Sequence, residues 1–203
     1  DLVLVIRPTT PLSNDGARIV LKNSLVPSFE RGIERIVFDD GTIWNQAGFA
    51  GQALVSAASD ADDVIIGSAA DDRILGRGGN DLVRGLDGSD TYVFRAGDGR
   101  DVVDDNGNGD TDVIEIQGYA LAQARFTRIE PSSDDLLIRF EGTADTITIV
   151  NGLAGTTADT VERFDFVDAS GGVVTASLTL AEVSERLLID ARTNGADQIV
   201  GSG

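Results

Sequence analysis

Apolar and polar residues alternate along much of this chain in runs of five to seven positions, bounded by Gly, Asn, Asp and Pro, as half-buried strands do. The runs predict strands near residues 2–7, 17–23, 33–38, 112–116, 125–130, 135–140, 145–150, 161–167 and 172–178. From residue 57 to 104 the alternation gives way to a period of nine. Asp63, Asp72, Asp81 and Asp90 keep that spacing, and each is followed two positions later by an apolar residue: Ile65, Ile74, Val83 or Tyr92. Gly67, Gly76 and Gly85 recur at the same interval. A nine-residue period suits neither an α-helix nor a plain strand, and predicts coils in which a tight turn and a short strand alternate. The turn carries the carboxylate and the strand carries an apolar plug. Thr179-Leu180-Ala181-Glu182 has the spacing of a capping box and opens a helix to about Ile189.

Stacked coils would set the aspartates in rows along the edges of a solenoid. Two carboxylates about 4 Å apart repel by roughly 4 kcal/mol at an effective dielectric near 20, so the rows require a neutralising partner. Asp carboxylates and the carbonyls of glycine-rich turns are hard oxygen ligands suited to calcium, and the chain has no His or Cys to favour zinc or copper. An acidic, solvated linker would account for one Asp-Asp-X-Ile segment, but not for four copies in register.

The copies Gly76-Arg77-Gly78-Gly79-Asn80-Asp81-Leu82-Val83-Arg84 and Gly85-Leu86-Asp87-Gly88-Ser89-Asp90-Thr91-Tyr92-Val93 resemble the haemolysin-type calcium-binding repeat, the RTX nonapeptide. The resemblance implies an all-β fold. Two nonapeptides would form each turn of a right-handed parallel β-roll, a calcium-binding solenoid, with each calcium between successive turns on one edge. Asp63 would align with Asp81 on one edge and Asp72 with Asp90 on the other, and Gly76, Gly78, Gly79, Gly85, Asp87 and Gly88 would belong to the metal-binding turns. The sequence departs from the pattern at Ser68, Arg77 and Leu86, which replace the second glycine, and at Ala61 and Ala70 in the fourth position. Alanine where a turn wants positive φ costs stability. The run from Phe94 to Val103 looks like the segment that closes such arrays, which makes Asp98 and Asp101 further candidate ligands. Asp112, followed by Ile114, is either one more coil position or a turn aspartate ahead of a strand.

A longer repeat links the two ends. Asn23, Glu34, Arg35 and Phe38 map onto Asn151, Glu162, Arg163 and Phe166 at a constant offset of 128. Gly195-Ala196-Asp197-Gln198-Ile199-Val200-Gly201-Ser202 echoes the segment beginning at Ala61, so Asp197 reads as the opening of a second array. The organisation expected is a β-rich flanking module at 1–56, the β-roll at 57–104, a second β-rich flanking module at 105–190 and the start of another array at 191–203. The flanks resemble the haemolysin-type calcium-binding-protein-related module, particularly from Ile33 to Trp44. Their expected work is to cap the open strand edges of the roll, with the short helix near 179–189.

Composition narrows the function. Gly numbers 24, aromatics make up 5%, and the formal net charge is −18, which disfavours nucleic acid and anionic membranes and favours cations. Four or five calcium ions, at two charges each, would offset roughly half of that excess. No apolar run approaches the roughly 20 residues of a membrane helix. With no Met, the chain reads as a piece of something longer. The motifs of triads, zinc proteases and phosphate loops are missing, so no enzymatic activity is expected. The leading expectation is a calcium-binding structural module of a large bacterial protein, secreted or on the cell surface and folding on calcium outside the cell. The resemblance adds export through a one-step (type I) secretion channel. Two other readings stay open. One is a calcium-dependent adhesin or lectin that binds surface glycans, for which Trp44 is the only hint, although core packing suits it better. The other is self-assembly with neighbouring copies into a fibre or surface layer.

Overall fold

The computed structural model describes residues 2–6, 17–21, 35–37, 43–45, 57–107, 111–130, 132–154 and 160–193. The chain divides into two compact units, residues 1–57 and 58–203. In the first, β1 (Leu2–Ile6) pairs antiparallel with β2 (Ala17–Leu21), and β3 (Arg35–Val37) pairs antiparallel with β4 (Ile43–Asn45). Val37 and Ile43 face each other across the second hairpin, and both are exposed.

In the second unit the period of nine becomes a two-sided roll. β5 (Val64–Ile66), β6 (Arg73–Leu75) and β7 (Leu82–Arg84) are three-residue strands, followed by β8 (Thr91–Arg95) and β9 (Arg100–Val103). Alternate strands join opposite sheets, so that β5 pairs in parallel with β7 and β7 with β9, while β6 pairs in parallel with β8. Successive side chains point to opposite faces, so each three-residue strand turns only its middle residue inward. Ile65, Ile74 and Val83 are accordingly buried between exposed or half-buried neighbours.

The sheets run on past residue 104 without interruption. β10 (Val113–Gln117) and then β14 (Arg163–Val167) extend the sheet of β6 and β8 in parallel, and β15 (Val174–Thr179) closes it antiparallel. β13 (Thr146–Ile149) extends the other sheet in parallel from β9, followed by antiparallel β12 (Leu136–Phe140) and β11 (Ala124–Arg128). The plugs therefore form continuous rows, Ile65–Val83–Val103–Ile149 in one sheet and Ile74–Tyr92–Ile114–Phe164 in the other. The core widens towards the end of the unit, where Phe126 meets Phe164 edge-on with centroids 6.4 Å apart. Helix α1 (Leu180–Thr193) packs against β11 and β15. Its start is the expected capping box: the Glu182 carboxylate accepts the Thr179 N–H at 2.8 Å, and the Glu182 N–H donates to Thr179 Oγ1 at 3.3 Å. The helix ends four residues beyond the expected Ile189.

Backbone strain falls elsewhere than the sequence suggested. Ala61 and Ala70 are not at positive φ; the left-handed residues in the coils up to Asp90 are Gly79 (φ 125°) and Gly88 (φ 108°), together with Arg77 (φ 73°) and Leu86 (φ 76°). Ala61 and Ala70 instead form the surfaces on which later turns stack. A Cβ on Gly79 would lie 2.6 Å from the carbonyl carbon of Ala61, and one on Gly88 would lie 2.6 Å from that of Ala70. Gly97 shares the positive φ, at 95°, but a Cβ there would meet nothing within 4 Å. Gly97→Ala should therefore cost only the left-handed strain, about 1–2 kcal/mol. Gly79→Ala should add an overpacking cost of about 1–3 kcal/mol. Denaturant unfolding of both variants in calcium checks the difference, and equal losses would contradict the stacking.

Candidate metal centre

A backbone N–H drawn out of a strand ladder still needs an acceptor. In the turns of this roll the acceptor is an aspartate one coil further on. Asp81 Oδ1 accepts the Asp63 N–H at 2.9 Å, and Asp101 Oδ1 accepts the Asp81 N–H at 3.0 Å. On the other edge, Asp90 Oδ1 accepts the Asp72 N–H at 2.8 Å, Asp112 Oδ1 accepts the Asp90 N–H at 2.7 Å, and Glu162 Oε2 accepts the Asp112 N–H at 2.8 Å. A parallel outer row runs the other way: the Asn80 N–H donates to Asp62 Oδ1 at 2.8 Å and the Ser89 N–H to Asp71 Oδ1 at 2.9 Å. One oxygen of each inner aspartate from Asp81 onward is thus bound to the neighbouring backbone, so the carboxylates must stack wherever the coils stack.

The other oxygen divides the aspartates into two classes. Ser59 donates both its N–H and its hydroxyl to Asp63 Oδ2 at 2.7 Å, and Ser68 donates likewise to Asp72 Oδ2 at 2.6 and 2.8 Å. The corresponding positions before Asp81 and Asp90 hold the left-handed Arg77 and Leu86. Asp81 Oδ2 and Asp90 Oδ2 are buried and accept no hydrogen bond. Glycine makes room for them: a Cβ on Gly76 would stand 2.1 Å from Asp81 Oδ2, and one on Gly85 would stand 1.9 Å from Asp90 Oδ2.

Burial raises the pKa of these carboxyls. Desolvation, opposed by the backbone N–H bond and reinforced by neighbouring carboxylates, pushes Asp90 up to about 8 and Asp101 up to about 7. Asp81, Asp98 and Asp112 are raised for the same leading reason. Buried carboxylate oxygens without a donor, all-oxygen surroundings and glycines that leave space fit a hard divalent cation.

The rows bring together Asp63, Asp81 and Asp101 on one edge and Asp72, Asp90 and Asp112 on the other. Asp112, open between coil and turn from sequence, takes the third place in its row. Asp98 lies outside the rows. Its carboxylate accepts the Arg95 N–H at 2.8 Å, and it lines a small cavity with Asp101, Asp145 and Tyr119. Gly78 approaches Asp60 no closer than 3.8 Å from its would-be Cβ, and Asp87 is half-buried in the turn with Gly88. Asp197 lies outside the described residues. Sequence reasoning missed the two serines and Glu162. The serines carried a signal, since Ser59 and Ser68 both stand four residues before a repeat aspartate. Glu162 is placed only by the pairing of β10 with β14.

Carboxyls with pKa values above their usual value hold protons in the metal-free fold that the unfolded chain has already lost. Their contribution to stability is complete below about pH 4 and is lost as pH rises through 7 to 8. In chelator the fold should therefore weaken from about pH 5 to pH 8, as followed by denaturant midpoints. Calcium uptake should release protons, and the calcium required should rise on acidification by roughly tenfold per pH unit for each proton displaced. Calorimetry in two buffers of different ionisation enthalpy reads that release. Ser68→Ala removes one hydroxyl donor and should cost about 1 kcal/mol while leaving the number of bound calcium ions unchanged, as counted by titration calorimetry.

Two family descriptions match the sequence. The RTX calcium-binding nonapeptide repeat, in four copies, covers residues 58–92, and the haemolysin-type calcium binding protein related domain covers residues 1–47 and 135–170. No curated protein matches the chain. The matched repeats coincide with the coils whose aspartates stack. The sequence therefore matches RTX calcium-binding nonapeptide repeats together with the haemolysin-type related domain, and the cation that such repeats bind is calcium.

Proposed function

We propose that the chain is a non-enzymatic, calcium-stabilised structural module of a larger bacterial protein, secreted or on the cell surface, that completes its fold when it meets calcium outside the cell. The observation that carries this reading is the pair of buried, unpartnered oxygens Asp81 Oδ2 and Asp90 Oδ2. Asp81 and Asp101 would hold calcium on one edge and Asp90 and Asp112 on the other. Serine donors meet Asp63 and Asp72 where a cation would otherwise be needed. A bound calcium supplies the positive charge that the rows lack. Extracellular modules work with affinities near 10⁻⁴ to 10⁻³ M, which cytosolic calcium does not satisfy, so binding energy becomes folding energy after export. The fourfold organisation at 1–56, 57–104, 105–190 and 191–203 belongs to the same proposal. Among the described residues no helix is long and apolar enough to cross a membrane. Trp44, on which a glycan-binding reading turns, lies in β4, and its side chain is outside the described residues.

Far-UV circular dichroism during a calcium titration from chelator tests the proposal. A cooperative gain of β signal in the millimolar range with calcium and not with magnesium is expected. Asp81→Asn should shift the midpoint upward by tenfold or more, whereas Asp62→Asn, in the outer row, should shift it little. A spectrum indifferent to calcium would return the rows to a purely protonated state.

A further inference from the structure

Beyond the matched repeats, residues 104–107 fold back beneath the second edge and bring Asp105 to Asp90 and Asp112. All three are buried, at 3, 0 and 2% exposure. One carboxylate oxygen from each lies within 4.8 Å of the others. Oxygens bound to one calcium at 2.3–2.6 Å lie within about 5 Å of one another, so the three can share a single ion.

An acidic cluster alone would be held by protons, and the Asp105 and Asp112 carboxyls do lie within hydrogen-bonding reach of each other. The independent observation is Asp90 Oδ2, which is buried and accepts no hydrogen bond. It points to the same place. A Cβ on Gly85 would stand 1.9 Å from Asp90 Oδ2 and 2.3 Å from the Tyr92 hydroxyl, and that hydroxyl donates to Asp105 Oδ1 at 2.8 Å. On the far side, a Cβ on Gly107 would lie 2.9 Å from the Leu86 carbonyl oxygen and 3.5 Å from Asp105 Oδ2. Two glycines therefore let three carboxylates, the Tyr92 hydroxyl and a backbone carbonyl close in on one another.

We propose that Asp90, Asp105 and Asp112 form a divalent-cation site at the end of the second edge, with Asp105 as a ligand from outside the nonapeptides and the Leu86 carbonyl beside it. This inference rests on the calcium-binding reading of the array. Asp105 enters the site from the loop after β9, so the ion would tie that loop to the roll. Tyr92 is the positioning residue: its ring is a core plug, and its hydroxyl fixes the orientation of the Asp105 carboxylate.

Titration calorimetry of the full chain with calcium chloride, with magnesium chloride as comparison, tests the site. Asp105→Asn should bind one calcium fewer than the unsubstituted chain. Tyr92→Phe keeps the ring and removes only the donor to Asp105, and should bind the same number with one site weakened at least tenfold. If Asp105→Asn does not fold in calcium, Tyr92→Phe decides alone. No calcium uptake by the unsubstituted chain would sink the array reading itself. Uptake that is normal there and unchanged in both variants would overturn only the Asp105 site.

Discussion

The repulsion between stacked, buried carboxylates is the constraint on which this fold depends. Each inner aspartate from Asp81 onward accepts a backbone N–H of the preceding coil, so the carboxylates cannot part unless the coils do. At an effective dielectric near 20, each close pair costs a few kcal/mol if charged. Domains are stable by about 5–15 kcal/mol, so a few such pairs would use up the whole margin. The hydrogen bonds that define the roll are therefore the ones that make it unstable without positive charge, from protons or from calcium.

That dependence is not uniform along the molecule. The first coil meets its aspartates with Ser59 and Ser68, which donate through both backbone and hydroxyl. The far end has its own aromatic core, where Phe126, Phe164 and Phe166 are fully buried. Between them lies the stretch from Asp81 to Asp90, where β7 buries the single plug Val83 before β8 begins to widen the core with Tyr92, Val93 and Phe94. The buried oxygens Asp81 Oδ2 and Asp90 Oδ2, which accept no hydrogen bond, lie in that middle stretch, bounded by hydrogen bonding on one side and packing on the other.

Much of this was legible in the sequence because period is a local property. The nine-residue spacing of Asp63, Asp72, Asp81 and Asp90 predicted alternating turns and short strands, the family resemblance implied the alignment of Asp63 with Asp81, and Thr179 and Glu182 marked the helix start. What stayed hidden depends on long-range register or on loop paths. Glu162 joins a row that begins 90 residues earlier at Asp72, and only the parallel pairing of β10 with β14 places it there. Asp105 follows β9 with no repeat around it, and folds back through a loop that no periodicity describes. The strain at Arg77 and Leu86 was misplaced onto Ala61 and Ala70, because composition shows which residues depart from a pattern but not which of them adopt the left-handed backbone.

The alternation of strands between the two sheets also governs how such a chain can change length. One extra nonapeptide would move every later strand to the opposite sheet and place β9 where β10 pairs, whereas a pair of nonapeptides would add a whole coil and leave all later pairings intact. Smaller insertions are confined to turns, as in the widening of the aspartate spacing from 18 residues to 20 and 22 at Asp101 and Asp112. Arrays of this kind can therefore lengthen or shorten without re-pairing only in steps of a full coil, and each step changes the aspartate rows of both edges together.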